Sequence, residues 1–131
     1  MKNLRVTRLV KDDAVNLQSL IDQETASLTR LASPFTLNDA YNFINLYNTY
    51  AIIVDEKLAG AIEIKNTGET AYVVGKQWRN QGVCTQAIRA LNTKNSLKFM
   101  KINNLWCLIH PDNIASIRVA QKCGLEIRYV K

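Results

Sequence analysis

Length, composition and charge exclude several classes of protein. The chain has 131 residues, of which 47% are hydrophobic and 21% are charged, and these values are typical of a globular rather than a disordered protein. We expect one domain over residues 1–131, since a chain of this size can bury a core and fold alone. The apolar runs are too short to span a bilayer and the charged N-terminus is unlike a signal peptide, so we expect no membrane partner and a cytoplasmic location.

The cysteines and the histidine do not form a recognisable metal motif. Cys84, Cys107 and Cys123 are widely spaced, no CxxC is present, and His110 is the single histidine. The pattern predicts neither a zinc site nor a disulfide framework, but small buried or half-buried thiols. We therefore expect no metal cofactor.

The net charge of +6 is concentrated in the second half of the chain. Residues 1–69 contain seven Lys/Arg and nine Asp/Glu, whereas residues 70–131 contain ten Lys/Arg and two Asp/Glu. A basic half of this kind indicates either a solvated surface or a surface that binds phosphate or nucleic acid. Charge alone does not choose between the two.

The first elements are predicted to be one strand and two helices. Residues 3–10 alternate apolar and polar side chains, which predicts a strand. Asp12 and Asp13 then begin a helical stretch, and a second, short helix is predicted over 36–47 with Thr36 as its N-cap. The apolar residues of the first helical stretch are Val15, Leu17, Leu20 and Ile21.

A meander of three strands is predicted next. Residues 50–54 and 58–64 form a hairpin around a turn at 55–57, and residues 70–78 form the third strand. The elements that follow alternate: a helix over 82–100, a strand over 102–111, a helix that Asp112 or Asn113 caps and that runs to about Cys123, where Gly124 ends it, and a last strand over 125–131. The order β-α-α-β-β-β-α-β-α-β predicts a mixed α/β (α+β) sheet with helices packed on it.

The stretch "QWRNQGVCTQAIRAL" at 77–91 is the junction between the third meander strand and the next helix. The N–H groups of a helix's first turn lack partners inside the helix, and together with the helix dipole they bind anions. Gly82 lets the backbone approach a ligand or adopt a positive φ, and Arg79 adds charge. The junction is therefore either a plain turn or an anion site suited to a diphosphate, although it is neither a Walker loop nor a GxGxxG motif.

A second feature lies at the start of the last helix, in "HPDNIASIRVAQKCGLE". Taken alone, Asn113 is simply an N-cap and Ser116 a residue of the first helical turn. The two features together are more specific than either of them alone.

These two motifs resemble those of the GNAT N-acetyltransferases, closest to the branch with the ribosomal-protein N-terminal acetyltransferases. "RNQGVCTQAIRAL" is similar to the family's acetyl-CoA signature Q/R-x-x-G-x-G/A, and "PDNIASIRVAQKCGL" to its second motif, N-x-x-S-x-x-x-x-x-K-x-G. The resemblance covers the whole chain, because the predicted order of elements is also the family's. It implies the GNAT-like acyl-CoA N-acyltransferase fold in a single acetyltransferase domain. The implied reaction is direct attack of a primary amine (protein N-terminus, lysine or small amine) on acetyl-CoA.

The resemblance also implies the residues that bind acetyl-CoA. Val73 and Val74 would pair through their backbone with the pantetheine arm, in a gap between their strand and the strand around 105–109. Asn113 would hydrogen-bond the cofactor near the pantetheine. The pyrophosphate would be held, mostly by main-chain N–H groups, by Arg79, Asn80, Gln81, Gly82, Val83, Cys84 and Thr85.

The implied chemistry needs a group that accepts the proton of the attacking amine. Glu69 occupies the position of a glutamate common in this branch, and Glu63 in the preceding strand is the alternative. Either glutamate could instead be a solvent-facing strand residue. Ser116 would lie near the thioester sulfur.

Three departures from the family pattern keep other interpretations open. Ala120 stands where many relatives have a tyrosine as general acid. Cys84 replaces a smaller residue, so its sulfur could crowd the phosphates or tilt away, and a thiol at a helix N-terminus could have a lowered pKa. The sequence ends at Lys131, before the family's further strand, so a second subunit of a homodimer could complete the sheet.

These departures indicate, as the alternative function, a catalytically weakened module of the same fold that binds acetyl-CoA or CoA. An enzyme acting on RNA-linked substrates would explain the basic half. However, no basic stripe with interleaved aromatic residues is evident, so we do not expect a nucleic-acid partner.

Overall fold

The computed structural model describes residues 3–29, 31–46, 48–93 and 105–130, and its strands and helices follow the predicted mixed order, with one helix added between the first two strands. The strands are β1 (Leu4–Arg8), β2 (Thr49–Val54), β3 (Lys57–Ile64), β4 (Thr70–Val74), β5 (Trp106–Ile109) and β6 (Glu126–Tyr129). The α-helices are α1 (Ala14–Leu20), α2 (Gln23–Thr29), α3 (Leu37–Asn45), α4 (Val83–Thr93) and α5 (Ile114–Cys123). Short 3-10 turns cover Lys11–Asp13 and Lys76–Trp78.

The segment between β1 and β2 contains one helix more than predicted. Asp22 begins α2, because its carboxylate accepts the Thr25 N–H at 2.7 Å and its carbonyl accepts the Ala26 N–H at 2.9 Å. Val15, part of the predicted helical stretch, is 60% exposed, whereas Leu17 on the same helix is buried. Helix α1 therefore buries Leu17 and leaves Val15 largely in solvent.

Local capping explains where two other helices begin and end. The Thr36 hydroxyl accepts the Asp39 N–H at 3.1 Å, and the Asp39 carboxylate accepts the Thr36 N–H at 2.9 Å, so a capping box starts α3 as predicted. Asn113 caps α5 through the Ser116 N–H, and Gly124 ends this helix at a φ of 71°.

Other predicted boundaries are shifted. The third meander strand was expected to reach Trp78, but β4 ends at Val74 and a 3-10 turn follows. Helix α4 is described as far as Thr93, and the predicted continuation over 94–100 lies outside the described residues. The same holds for 102–104 at the start of the strand predicted over 102–111.

The strands form two sheets with helices on both sides. The order β1-β2-β3-β4 is antiparallel throughout, and β5 pairs with β6 in parallel. One core, around Ile62 and Ile88, lies between the larger sheet and α4 and α5. The other, around Leu17 and Ala61, lies between the opposite face and α1–α3. The predicted mixed α/β class is confirmed.

Strands β4 and β5 join the two sheets at one place. Glu69 and Trp106 form a parallel bridge at the beginnings of the strands, where the Trp106 N–H donates to the Gly68 carbonyl at 3.0 Å. Beyond this bridge, no ladder connects β4 with β5 in the described ranges. The two strands therefore separate toward their C-terminal ends, and this gap positions the candidate site.

Candidate functional site

A cleft open to solvent occupies the gap between β4 and β5. Side chains from both faces of the larger sheet line it, so the gap reaches toward both helical layers. The lining on the side of α1–α3 is apolar and consists of Leu31, Phe43, Ala61, Ala71 and Val73. The lining on the side of α5 includes the polar residues Thr70, Tyr72, Asn113 and Ser116.

The main-chain N–H and C=O groups of β4 alternate in direction: those of one residue bond to β3, and those of the next point away from β3. The Lys65 N–H donates to the Glu69 carbonyl at 2.9 Å, and the Gly75 N–H donates to the Ala59 carbonyl at 2.8 Å. The odd-numbered residues of β4 therefore exchange hydrogen bonds with β3. The alternation of an antiparallel pair then directs the N–H and C=O groups of Val74 away from β3. Of the two residues predicted to pair with pantetheine, Val73 is among the described residues that line the cleft, whereas Val74 is not, and its carbonyl accepts the Arg79 Nε at 3.4 Å.

The predicted diphosphate site is the corner at residues 79–85, through which the chain passes from β4 into α4. Asn80 and Gly82 have φ values of 62° and 73°, and a Cβ built on Gly82 would meet no atom within 4 Å. The Gln86 N–H donates to the Gly82 carbonyl at 3.0 Å, so the N–H groups of residues 83–85 lie at the open end of the helix. The side chains of Val83, Cys84 and Thr85 are buried, so a ligand above the corner would meet main-chain donors.

Arg79 is directed away from this open corner. Its guanidinium donates to the Thr25 hydroxyl and lies 3.6 Å from the Glu24 carboxylate, and its Nε donates to the Val74 carbonyl at 3.4 Å. The side chain therefore connects α2 to the end of β4. The positive charge of Arg79, which was predicted to bind phosphate, therefore interacts with α2 on the face of the sheet opposite α4. Gln81, also predicted to bind the phosphates, donates from its amide to the Gln77 carbonyl at 3.0 Å.

Cys84 does not project into the space above the corner. Its side chain is 7% exposed and belongs to the core between the sheet and α4. Burial raises the pKa of this thiol, and the neighbouring Cys123 raises it further. The crowding and the lowered pKa considered for Cys84 are both wrong, because the first turn of α4 packs its side chains inward.

Asn113 and Ser116 stand together at the α5 side of the cleft. The Asn113 side chain is buried and accepts the Ser116 N–H at 3.2 Å. The Ser116 carbonyl accepts the Tyr72 hydroxyl at 2.7 Å. Asn113 is therefore both a helix cap and a lining residue.

The two candidate bases lie on the same face of the sheet, outside the cleft lining given by the described residues. Glu63 is directly opposite Ala71, a small residue that lines the cleft. Glu69 stands at the bridge with Trp106, and its carboxylate lies 3.6 Å from the Lys65 ammonium. Burial raises the pKa of Glu63, the charge of Lys65 opposes this, and Glu69 adds to it.

Sequence reasoning missed two residues that shape the cleft. Tyr72 was counted only as part of a strand, although its polar tip is the kind of group that finds a partner when buried. Gly60 was also passed over, although a glycine inside a strand signals a close backbone approach. A Cβ at Gly60 would lie 2.3 Å from the Val73 carbonyl oxygen.

Comparison with known proteins decides the family. The model of the acetyltransferase (GNAT) domain matches residues 3–126. The chain belongs to the GNAT acetyltransferase family. No curated protein gives a significant match to the sequence.

Solved structures of GNAT proteins share the fold. A GNAT-family acetyltransferase from Bacillus anthracis is 23% identical, with a TM-score of 0.78 over 95% of this chain and 82% of that one. The microcin C7 self-immunity acetyltransferase MccE, solved with acetyl-CoA and AMP, is 21% identical, with a TM-score of 0.72 over 92% and 77%. The ribosomal L7/L12 α-N-protein acetyltransferase RimL, solved with coenzyme A, is 19% identical, with a TM-score of 0.74 over 92% and 78%.

Two further features bear on partners and metals. Among the described residues, no group of three or more His, Cys, Asp or Glu side chains could hold a metal ion. None of the helices within the described ranges combines the length and apolar character needed to cross a lipid bilayer.

Proposed function

We propose that this GNAT acetyltransferase transfers an acetyl group from acetyl-CoA to a primary amine by direct attack. The observation that carries the proposal is that β4 lines the cleft and the chain then leads from β4 to the open first turn of α4. Strand β4 ends at Val74, and Asn80 and Gly82 follow the 3-10 turn at Lys76–Trp78. An extended donor with an acyl thioester at one end and phosphates at the other fits this sequence of groups.

The residues present suit such a donor. The main-chain donors at residues 83–85 would hold the diphosphate, and the arm would lie along Val73, Val74 and Asn113, of which Val73 and Asn113 line the cleft. The acceptor amine would approach from the side of α1–α3, where Phe43, Ala61 and other apolar residues line the cleft. The MccE and RimL structures, which contain acetyl-CoA and coenzyme A, support this use of the shared fold.

Ligand-induced stabilisation followed by a transfer assay tests the proposal. Acetyl-CoA and CoA at 100 times their Kd should each stabilise the fold by about 2.7 kcal/mol, which thermal unfolding detects. Release of free thiol from acetyl-CoA should then depend on an added amine, over a panel of peptides, lysine and small amines. Absence of any thermal shift at millimolar acetyl-CoA would refute the proposal.

We further propose Glu63 as the base, acting through a water molecule beside Ala71. Glu63→Gln should lower kcat by roughly 10-fold or more, since general base catalysis contributes at least this much. In the unsubstituted protein, the rate should fall as the pH drops through the raised pKa of Glu63, above its ordinary value of 4.5. Rate profiles over pH with a saturating amine measure both effects.

Glu69→Gln is the matched substitution, on the same face of the sheet but beside Lys65. A larger rate loss for this variant than for Glu63→Gln would transfer the role to Glu69. Stability gives an independent readout, because a carboxyl with a raised folded pKa loses its stabilising contribution as the pH rises through that pKa. Glu63→Gln should therefore be more stable, relative to the unsubstituted chain, at about pH 8 than at about pH 4.

A second candidate function is a module that binds acetyl-CoA or CoA with little turnover. It is favoured by the cleft itself, which carries no Asp or Glu side chain among its described lining residues. Thermal stabilisation by CoA without amine-dependent thiol release, across the whole panel, would support this function over the enzyme.

A further inference from the structure

The side of the cleft next to α5 contains the phenol of Tyr72, which has no role in the reaction as proposed above. Tyr72 projects from β4 toward α5, and its hydroxyl donates to the Ser116 carbonyl at 2.7 Å. The same cleft is lined by Asn113, the cap of α5. Tyr72 thus places a hydroxyl group between the strand that would carry the acetyl donor and the first turn of α5.

Acetyl transfer from a thioester develops negative charge on the sulfur, which a hydrogen-bond donor at this position would stabilise. The amine nitrogen bonds to the acetyl carbon, the carbon–sulfur bond breaks, and its electron pair stays on the sulfur as a thiolate. The amine's proton goes to the base, which we place at Glu63. A buried thiolate without a hydrogen-bond donor would carry a large desolvation cost.

We propose that the Tyr72 hydroxyl is the hydrogen-bond donor for the leaving sulfur. The hydroxyl rotates about its C–O bond and can move its hydrogen from the Ser116 carbonyl to the sulfur. A hydrogen bond to an anion is roughly twice as strong as one to a neutral acceptor, so the switch is favoured as negative charge develops. Tyr72 keeps its proton throughout, and the thiolate takes a proton from solvent after release. This inference rests on the proposed function.

The groups that face Tyr72 suit a donor that stays neutral. Burial raises the pKa of the Tyr72 phenol, and the neighbouring thiols of Cys107, Cys84 and Cys123 raise it further. Burial also raises the pKa of Cys107 to about 11, so this thiol adds no negative charge to the cleft at neutral pH. Ser116 is the competing donor, but its carbonyl, not its side chain, forms the contact with Tyr72.

Tyr72→Phe removes the hydroxyl and keeps the ring. We expect kcat to fall roughly 10- to 100-fold, while the KM for acetyl-CoA changes by less than about threefold, because the lost interaction forms mainly as the sulfur becomes charged. Tyr50→Phe is the matched control, since Tyr50 is a buried tyrosine on β2 outside the described cleft lining. Unchanged kcat in Tyr72→Phe, or a larger loss in Ser116→Ala, overturns the assignment.

The pKa of the bound CoA thiol gives a readout that needs no turnover. Thiolate absorbance of the CoA complex is followed against pH, and the matching desulfo-CoA complex is subtracted to remove the absorbance of the protein's cysteines and tyrosines. We expect a pKa at least about one unit below that of free CoA, returning toward the free value in Tyr72→Phe. An unshifted or raised value in the unsubstituted protein refutes the role even if the variant fails to fold.

The results of these experiments distinguish a failure of the role of Tyr72 from a failure of the proposed function. If CoA does not stabilise the unsubstituted protein, the proposed function fails and the role of Tyr72 fails with it. If CoA binds and acetyl transfer occurs, but Tyr72→Phe changes neither kcat nor the thiol pKa, only the role of Tyr72 fails.

Discussion

Gly82→Trp should weaken the binding of acetyl-CoA and CoA by at least about 100-fold, while the protein stays folded. Gly82 has a φ of 73°, and the space where its side chain would begin contains no protein atom within 4 Å. An indole there would not collide with the core but would fill the volume above the N–H groups that open α4. Calorimetric titration of CoA into the purified variant measures the loss directly.

The backbone cost of a side chain at Gly82 needs its own control. Gly124, at the end of α5, has a φ of 71° and the same open surroundings, so Gly124→Ala carries a similar strain to Gly82→Ala. Both alanine variants should lose about 1–2 kcal/mol of unfolding free energy. Full CoA affinity in a folded Gly82→Trp would place the diphosphate elsewhere. An equal loss of affinity in Gly124→Ala would mean that strain, not obstruction, weakens binding.

The features that the sequence predicted well depend on neighbours along the chain. Thr36 and Asp39 cap α3 three residues apart, and Asn113 and Gly124 bound α5 through bonds within their own turns. Such contacts form wherever the local backbone becomes helical, so residue type and spacing are sufficient to predict them. The helix that begins at Asp22 was missed although it uses the same chemistry, because the apolar pattern ran on through Ile21.

The features that the sequence could not predict join distant segments. Arg79 has its main partner 54 residues away in Thr25, and Tyr72 bonds to Ser116 across 44 residues. Nothing in the spacing of these residues indicates the contacts, which exist because β4 packs between α2 and α5. The motif at the corner therefore predicted the position of Arg79 but not the direction of its side chain. For the same reason, Glu63 and Glu69 could not be ranked before the register of β3 and β4 was known.

Gly60→Ala should lower the unfolding free energy by about 3 kcal/mol and the Tm by about 10 °C. The new Cβ would lie 2.3 Å from the Val73 carbonyl oxygen and 3.2 Å from the Val74 Cα. Both atoms belong to the backbone of β4, which cannot move aside by rotating a side chain. The separation of β3 and β4 would have to increase, and thermal and denaturant unfolding would report the cost.

Gly75→Ala is the matched control, because its Cβ would approach an atom almost as closely, 2.5 Å, but that atom is the Leu20 Cδ2 at the end of a flexible side chain. We expect Gly75→Ala to cost less than about 1.5 kcal/mol. Equal losses in the two variants would show that backbone contact at Gly60 is not what limits the spacing of β3 and β4. Since Val73 of β4 lines the cleft, a displaced β4 should also weaken CoA binding in Gly60→Ala. The close approach at Gly60 would then be what sets the width of the gap from which we infer the site.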